Sequence, residues 1–110
     1  MRTIDLTLIV PGPGWLSLRS CVTEALEIVD PGAFFDRVGF PRDRAFALRS
    51  ALRTQSLSTR SLSDDDLALA IACIDLACEL VDDVEFETRV GIDKPAARRL
   101  AATLHTAAAR

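Results

Sequence analysis

The sequence predicts a mainly α fold of the α+β kind. It consists of tandem duplicated strand-helix-turn-helix units, packed as a pseudo-two-fold helical domain with a small two-stranded ribbon. Three observations carry this reading. Alanine (16) and leucine (15) dominate the 110 residues and tyrosine is absent, a mix that favours helices. Shifted by 52 positions, Trp15–Thr54 lies on Leu67–Thr106 without a gap, and 13 of the 40 positions are identical. Gly39 and Gly91 fall at the same place in both copies, each followed by an apolar residue, as glycines that end a helix in the left-handed conformation do. The expectation is a single domain, 1–110, with repeat units at about 3–54 and 55–106. Two copies are too few for a solenoid and are expected to share one core.

Taken in order, Ile4, Leu6, Leu8 and Val10 alternate with Asp5, Thr7 and Ile9, the period of a strand over 4–10. Pro11-Gly12-Pro13-Gly14 is read as its end, because proline removes a donor and glycine frees φ. The matching stretch of the second copy, Leu57–Leu62, is a weaker strand, and one strand from each copy is expected to pair. The first helices are predicted over about Trp15–Val29 and Asp64–Val81. In the former, Trp15, Leu18, Val22, Leu26 and Val29 face inward, with Ser20, Glu24 and Glu27 on the more polar side. In the latter, Ser63 is the N-cap and Asp64-Asp65-Asp66 place negative charge on the helix's positive end, a capping role preferred here to metal binding. Two apolar stripes leave only Ala68, Ala72, Asp75, Glu79 and Asp82 for its outer face, an arc wide enough to require burial on two sides, within the fold or at an interface. Short helical turns ending at Gly39 and Gly91 lead into last helices that start near Pro41 and Asp93. Ala45, Leu48 and Leu52 point inward in one, Ala97, Leu100 and Leu104 in the other.

The segment from Ser61 to Leu104 runs from Leu62-Ser63-Asp64-Asp65-Asp66-Leu67 to Glu85-Phe86-Glu87-Thr88-Arg89-Val90-Gly91. It resembles uncharacterised small bacterial proteins in which a strand leads into a capped helix and an E-F-x-T-R-x-G turn. The resemblance implies that fold and a bacterial origin, and no activity. The first copy departs from it, with Ala33 and Asp36 in place of Glu85 and Thr88.

Chemistry-bearing residues are sparse. No nucleophile elbow, zinc-protease motif, P-loop or dinucleotide fingerprint occurs, Gly12-Pro13-Gly14 is too short to read as a phosphate cradle, and His105 has no partner at a recognisable spacing. The expectation is a non-enzyme, with no catalytic, metal or cofactor residues. Cys21, Cys73 and Cys78 form no C-x-x-C pair and read as small core residues. Arg37 and Arg89 read as structural, each bridging carboxylates at the end of the preceding helix, Glu27 and Asp30 or Glu79 and Asp82.

Charge is polarised although the net value is only −3. Nine acidic residues and no basic one lie between Asp64 and Glu87, while six arginines stand against Asp43 alone between Arg37 and Arg60. This predicts two partner-binding patches, Arg42, Arg49 and Arg53 on a basic last helix and Asp75, Glu79 and Asp82 on an acidic first one. The function expected is a small protein-protein interaction module of inhibitor, immunity, antitoxin or adaptor type, cytoplasmic and homodimeric. The wide apolar arc of 64–81 and the edge of strand 4–10 are expected to be covered by a second copy of the chain, the alternative being a monomer with an exposed apolar groove awaiting a different protein. The alternative is a DNA-binding regulator, in which Val84–His105 resembles a helix-turn-helix bearing Lys94, Arg98 and Arg99, repeated with Arg42, Arg44, Arg49 and Arg53. The acidic balance opposes it, so nucleic acid is not the expected partner, and no stretch is long and apolar enough for a membrane span.

Overall fold

The pairing of Thr3 with Ser63, Ile4 with Leu62 and Asp5 with Ser61 ties the N-terminal segment to the segment around Leu62. A computed structural model describes residues 2–55 and 60–109. Strand β1 (Thr3–Asp5) and strand β2 (Ser61–Ser63) form an antiparallel two-stranded sheet. The helices are α1 (Gly12–Ile28), α2 (Phe34–Val38, preceded by a 3-10 turn over Pro31–Ala33), α3 (Arg42–Thr54), α4 (Asp64–Leu80), α5 (Asp83–Val90) and α6 (Lys94–Ala109). Leu57–Thr59 of the expected second strand lie outside the described residues.

The expected strand over 4–10 is cut short after Asp5. The Asp5 carboxylate accepts the Thr7 N–H at 2.9 Å and bends the chain. The Ile9 and Val10 N–H groups then both donate to the Leu6 carbonyl. Leu6 and Val10 are buried by this turn, whereas Leu8 is 99% exposed, so the alternation marks a turn as well as a strand. Pro11-Gly12-Pro13-Gly14 does not merely end a strand; it starts α1. Pro11 is the N-cap, Pro13 stands where a missing donor costs nothing, and the Trp15 N–H donates to the Pro11 carbonyl at 3.0 Å.

The other caps follow the sequence. Ser63 Oγ accepts the Asp66 N–H at 3.1 Å, and Asp93 accepts the Ala96 N–H at 2.9 Å. Gly39 (φ 84°) and Gly91 (φ 92°) end α2 and α5 in the left-handed region. Helices α1 and α4 begin 52 positions apart and end 52 positions apart; α3 and α6 begin, and α2 and α5 end, at the same offset.

At the centre α1 packs on α4. Helix α3 lies on α1 and α6 on α4, whereas the short helices cross over, α5 to α1 and α2 to α4. The broad apolar arc of α4 is consumed inside the fold. Leu67, Leu69, Ala70, Ile71, Cys73, Ile74, Leu76 and Cys78 are all buried, with α1, α6, α2 and α3 packed around them. The main ground for expecting a homodimer is therefore met by the chain's own helices. Phe34 and Phe86, at equivalent positions, are both fully buried, and the Trp15 indole N–H is satisfied by the Leu52 carbonyl at 3.1 Å.

Candidate functional site

Helix α3 groups arginines around an aromatic ring. Its apolar stripe, Ala45, Leu48 and Leu52, is buried, which fixes the rotation of the helix and turns Arg42, Phe46, Arg49 and Arg53 toward the rim. The Arg42 guanidinium stands 4.7 Å from the centre of the Phe46 ring and the Arg49 guanidinium 5.0 Å, so the half-buried ring carries two cations. Arg42 Nη2 also donates to the Leu26 carbonyl at 3.4 Å, near the end of α1, where a cation meets the negative helix end. Arg53, one turn beyond Arg49, is exposed. Arg44 faces elsewhere, 3.3 Å from Asp66 and over the Phe40 ring at 5.9 Å.

Of the acidic set, Asp75 and Glu79 share the exposed face of α4, one turn apart, and exposed Asp82 precedes α5 without a side-chain capping bond. Glu79 is engaged by Arg37 Nη2 at 3.4 Å. Here the expected ion pairs are corrected. Arg37, in the first half, reaches Glu79 of α4; Arg89, in the second half, reaches Glu24 of α1 at 3.1 Å and Glu85 of its own helix at 2.9 Å. Each arginine thus bridges to the opposite half, because α2 and α5 pack on the other half's first helix. Glu24, read from sequence as part of a polar side, is buried. Its hydrogen bond, with the charge of Glu85, raises the Arg89 guanidinium above its usual range.

The three cysteines are free and buried, and burial pushes the Cys21 and Cys73 thiols up to about 12, so they are neutral core groups at pH 7. His105 is exposed on α6. Among the described residues, no group of three His, Cys, Asp or Glu side chains is placed to hold a metal, and no helix is long and apolar enough to cross a membrane. Two cations of the helix-turn-helix reading are already used within the fold. Lys94 holds Asp83 at 2.6 Å and lies over Phe86, and Arg44 holds Asp66.

Sequence reasoning missed Phe46 and Glu24. Phe46 had a signal, since Arg42 and Arg49 lie four before and three after it on one helix. Glu24 had none short of knowing that α5 crosses to α1.

No protein-family model, no curated protein and no solved structure matches this chain.

Proposed function

We propose that the chain is a protein-protein interaction module, of the inhibitor, immunity, antitoxin or adaptor type, that docks an acidic surface of another protein on the rim of α3. One observation carries this: the Phe46 ring, half-buried, is flanked by the Arg42 and Arg49 guanidiniums with Arg53 following on the same helix. Arginine and aromatic side chains held rigid in advance are the residue types that dominate interface energies. The acidic face of Asp75, Glu79 and Asp82 serves as the second patch. The test is affinity capture from the native host with the wild type and with Arg49→Glu. A partner retained by the wild type at low salt, weakened by salt and lost with Arg49→Glu supports the reading; the same partner held equally by both overturns it. Sub-micromolar binding of a specific DNA duplex at physiological salt replaces it with the regulator reading.

The same reading treats the chain as a duplicated unit whose halves stand about a pseudo-two-fold axis. The common 52-residue offset of the helices and the crossed arginines Arg37 and Arg89 support it. Superposing the Cα atoms of 15–54 on 67–106 tests it, and the absence of a common path rejects it. The likeness of Ser61–Leu104 to small bacterial proteins, and a cytoplasmic setting in which three thiols stay free, belong to this proposal.

Self-association, on this reading, uses β1. The outer edge of β2 is closed by Gln55, whose amide both donates to the Ser61 carbonyl and accepts the Ser61 N–H at 2.8 Å; β1 has no such cover among the described residues. Light scattering on the purified protein decides it, a dimer supporting a β1 interface and a monomer removing it.

A further inference from the structure

The two central helices neutralise their positive ends differently. At α4 the Ser63 cap is joined by Asp64 and Asp66, and each acid meets an arginine, Arg2 at 3.1 Å and Arg44 at 3.3 Å. The corresponding first-turn residues of α1 are Gly12, Pro13 and Gly14. No side chain caps α1 and no acid stands in its first turn. The Gly12 and Gly14 N–H groups find no acceptor among the described residues, since the first backbone bond of the helix comes from Trp15.

Arg60 lies against this uncapped turn and is only 5% exposed. Its Nη1 donates to the Val10 carbonyl at 3.0 Å, its guanidinium stands 5.8 Å from the centre of the Trp15 ring, and its Nη2 would be 3.6 Å from a Cβ at residue 12. Its Nε–H is buried with no acceptor. None of the ion pairs among the described residues involves Arg60. A buried cation beside the positive end of a helix is opposed twice, by desolvation and by the dipole. One negative group would answer both. At α4 the chain supplies it from Asp64 and Asp66; at α1 it does not. Nor does packing demand glycine at position 12, because a Cβ there would make only ordinary contact; what glycine leaves is open backbone.

We infer that an oxyanion of the phosphate type completes this corner, seated between the Nη2–Nε edge of Arg60 and the N–H groups of Gly12 and Gly14. A guanidinium edge presents two parallel donors, and a helix N-terminus presents backbone donors with a favourable dipole; together they suit a phosphate group. The source is free phosphate or the terminal group of a phosphomonoester.

The probes are inorganic phosphate and glycerol phosphate, titrated at constant ionic strength against sodium chloride, with amide spectra and thermal melting as readouts. The expected result is saturable movement of the Gly12 and Gly14 amide signals and a rise in Tm that saturates with phosphate. Response to both probes identifies a phosphomonoester site, and response to phosphate alone identifies a free-anion site. Arg60→Gln is expected to abolish the response. Should that variant fail to fold, Gly12→Asp decides: it supplies the carboxylate from within and is expected to raise Tm without phosphate and to remove the phosphate response. Shifts that grow linearly and equally with every salt, or a Gly12→Asp protein that gains no stability and still responds to phosphate, overturn the site.

Discussion

Arg89 and Arg37 occupy equivalent positions in the two halves and do unequal work. Arg89 links α5 to α1 through Glu24, whose side chain is only 10% exposed, and holds Glu85 as well. Arg37 links α2 to α4 through Glu79, which is 64% exposed, at a longer 3.4 Å. The difference lies in the acid. The first half places Glu24 on the buried face of α1, and at the corresponding position of α4 stands Leu76, buried as a hydrocarbon. One crossing is therefore held by a hydrogen-bonded pair whose acid is buried, and the other by packing with a surface pair added. The two crossings run the same way and differ in the force that secures each.

The largest expected effect ignores this asymmetry. Phe34→Ala and Phe86→Ala each remove a fully buried ring and are expected to cost about 3–5 kcal/mol by denaturant unfolding. Similar losses show that the two short helices are equally committed to the core; a much smaller loss at Phe34 would mark α2 as the looser one. Next, Glu24→Ala is expected to cost about 1–3 kcal/mol, because it strips a buried partner from Arg89. Glu79→Ala is expected to cost at most about 1 kcal/mol. Equal values would erase the contrast. Glu24→Leu sharpens it further: it copies the Leu76 solution and should recover most of the Glu24→Ala loss if packing alone can secure a crossing.

Gly39→Ala and Gly91→Ala come next, each expected to cost about 1–2 kcal/mol because a Cβ is penalised at φ 84° and 92°. Equal melting shifts in the two variants are the outcome that fits a shared stop in both halves. The smallest effect is a pH dependence confined to the second half's corner and the N-terminal turn. Lys94 holds the Asp83 carboxyl below its ordinary value, and hydrogen bonds from Thr7 do the same for Asp5. A depressed folded pKa gives stability that is present above the unfolded value, near 3.8, and is lost as pH falls through the folded one. Asp83→Asn is expected to flatten part of the acid limb in melting against pH, with no change at neutral pH beyond loss of that surface pair.

Much of this was legible in the sequence where the signal is local. Periodicity located α1, α4 and the buried faces of α3 and α6, and cap chemistry located Ser63, Asp93, Gly39 and Gly91. The turn at 6–10 was not, because alternating apolar residues satisfy a strand and a tight turn alike once Asp5 caps the Thr7 N–H. Pro11–Gly14 carries both stop and start chemistry, and only the helix behind it decides between them. The partners of Arg37 and Arg89 depend on which half each short helix leans on, a long-range choice with no local trace. The basic stripe of α3 was visible as charge; the ring that orders it was visible only as spacing.

The crossing of α2 and α5 sets an order of events during synthesis. Helix α2 is complete at Val38, yet its packing surface is α4, which is not finished until Leu80. At a synthesis rate of ~5–20 residues per second, the first half waits seconds with Phe34 and the inner face of α1 uncovered. Burial of Phe34 and of the inner face of α1 is therefore expected only once α4 has been made. A nascent chain of this design is expected to expose apolar surface during that interval, which makes the timing of α4 a source of aggregation risk separate from the stability of the finished fold.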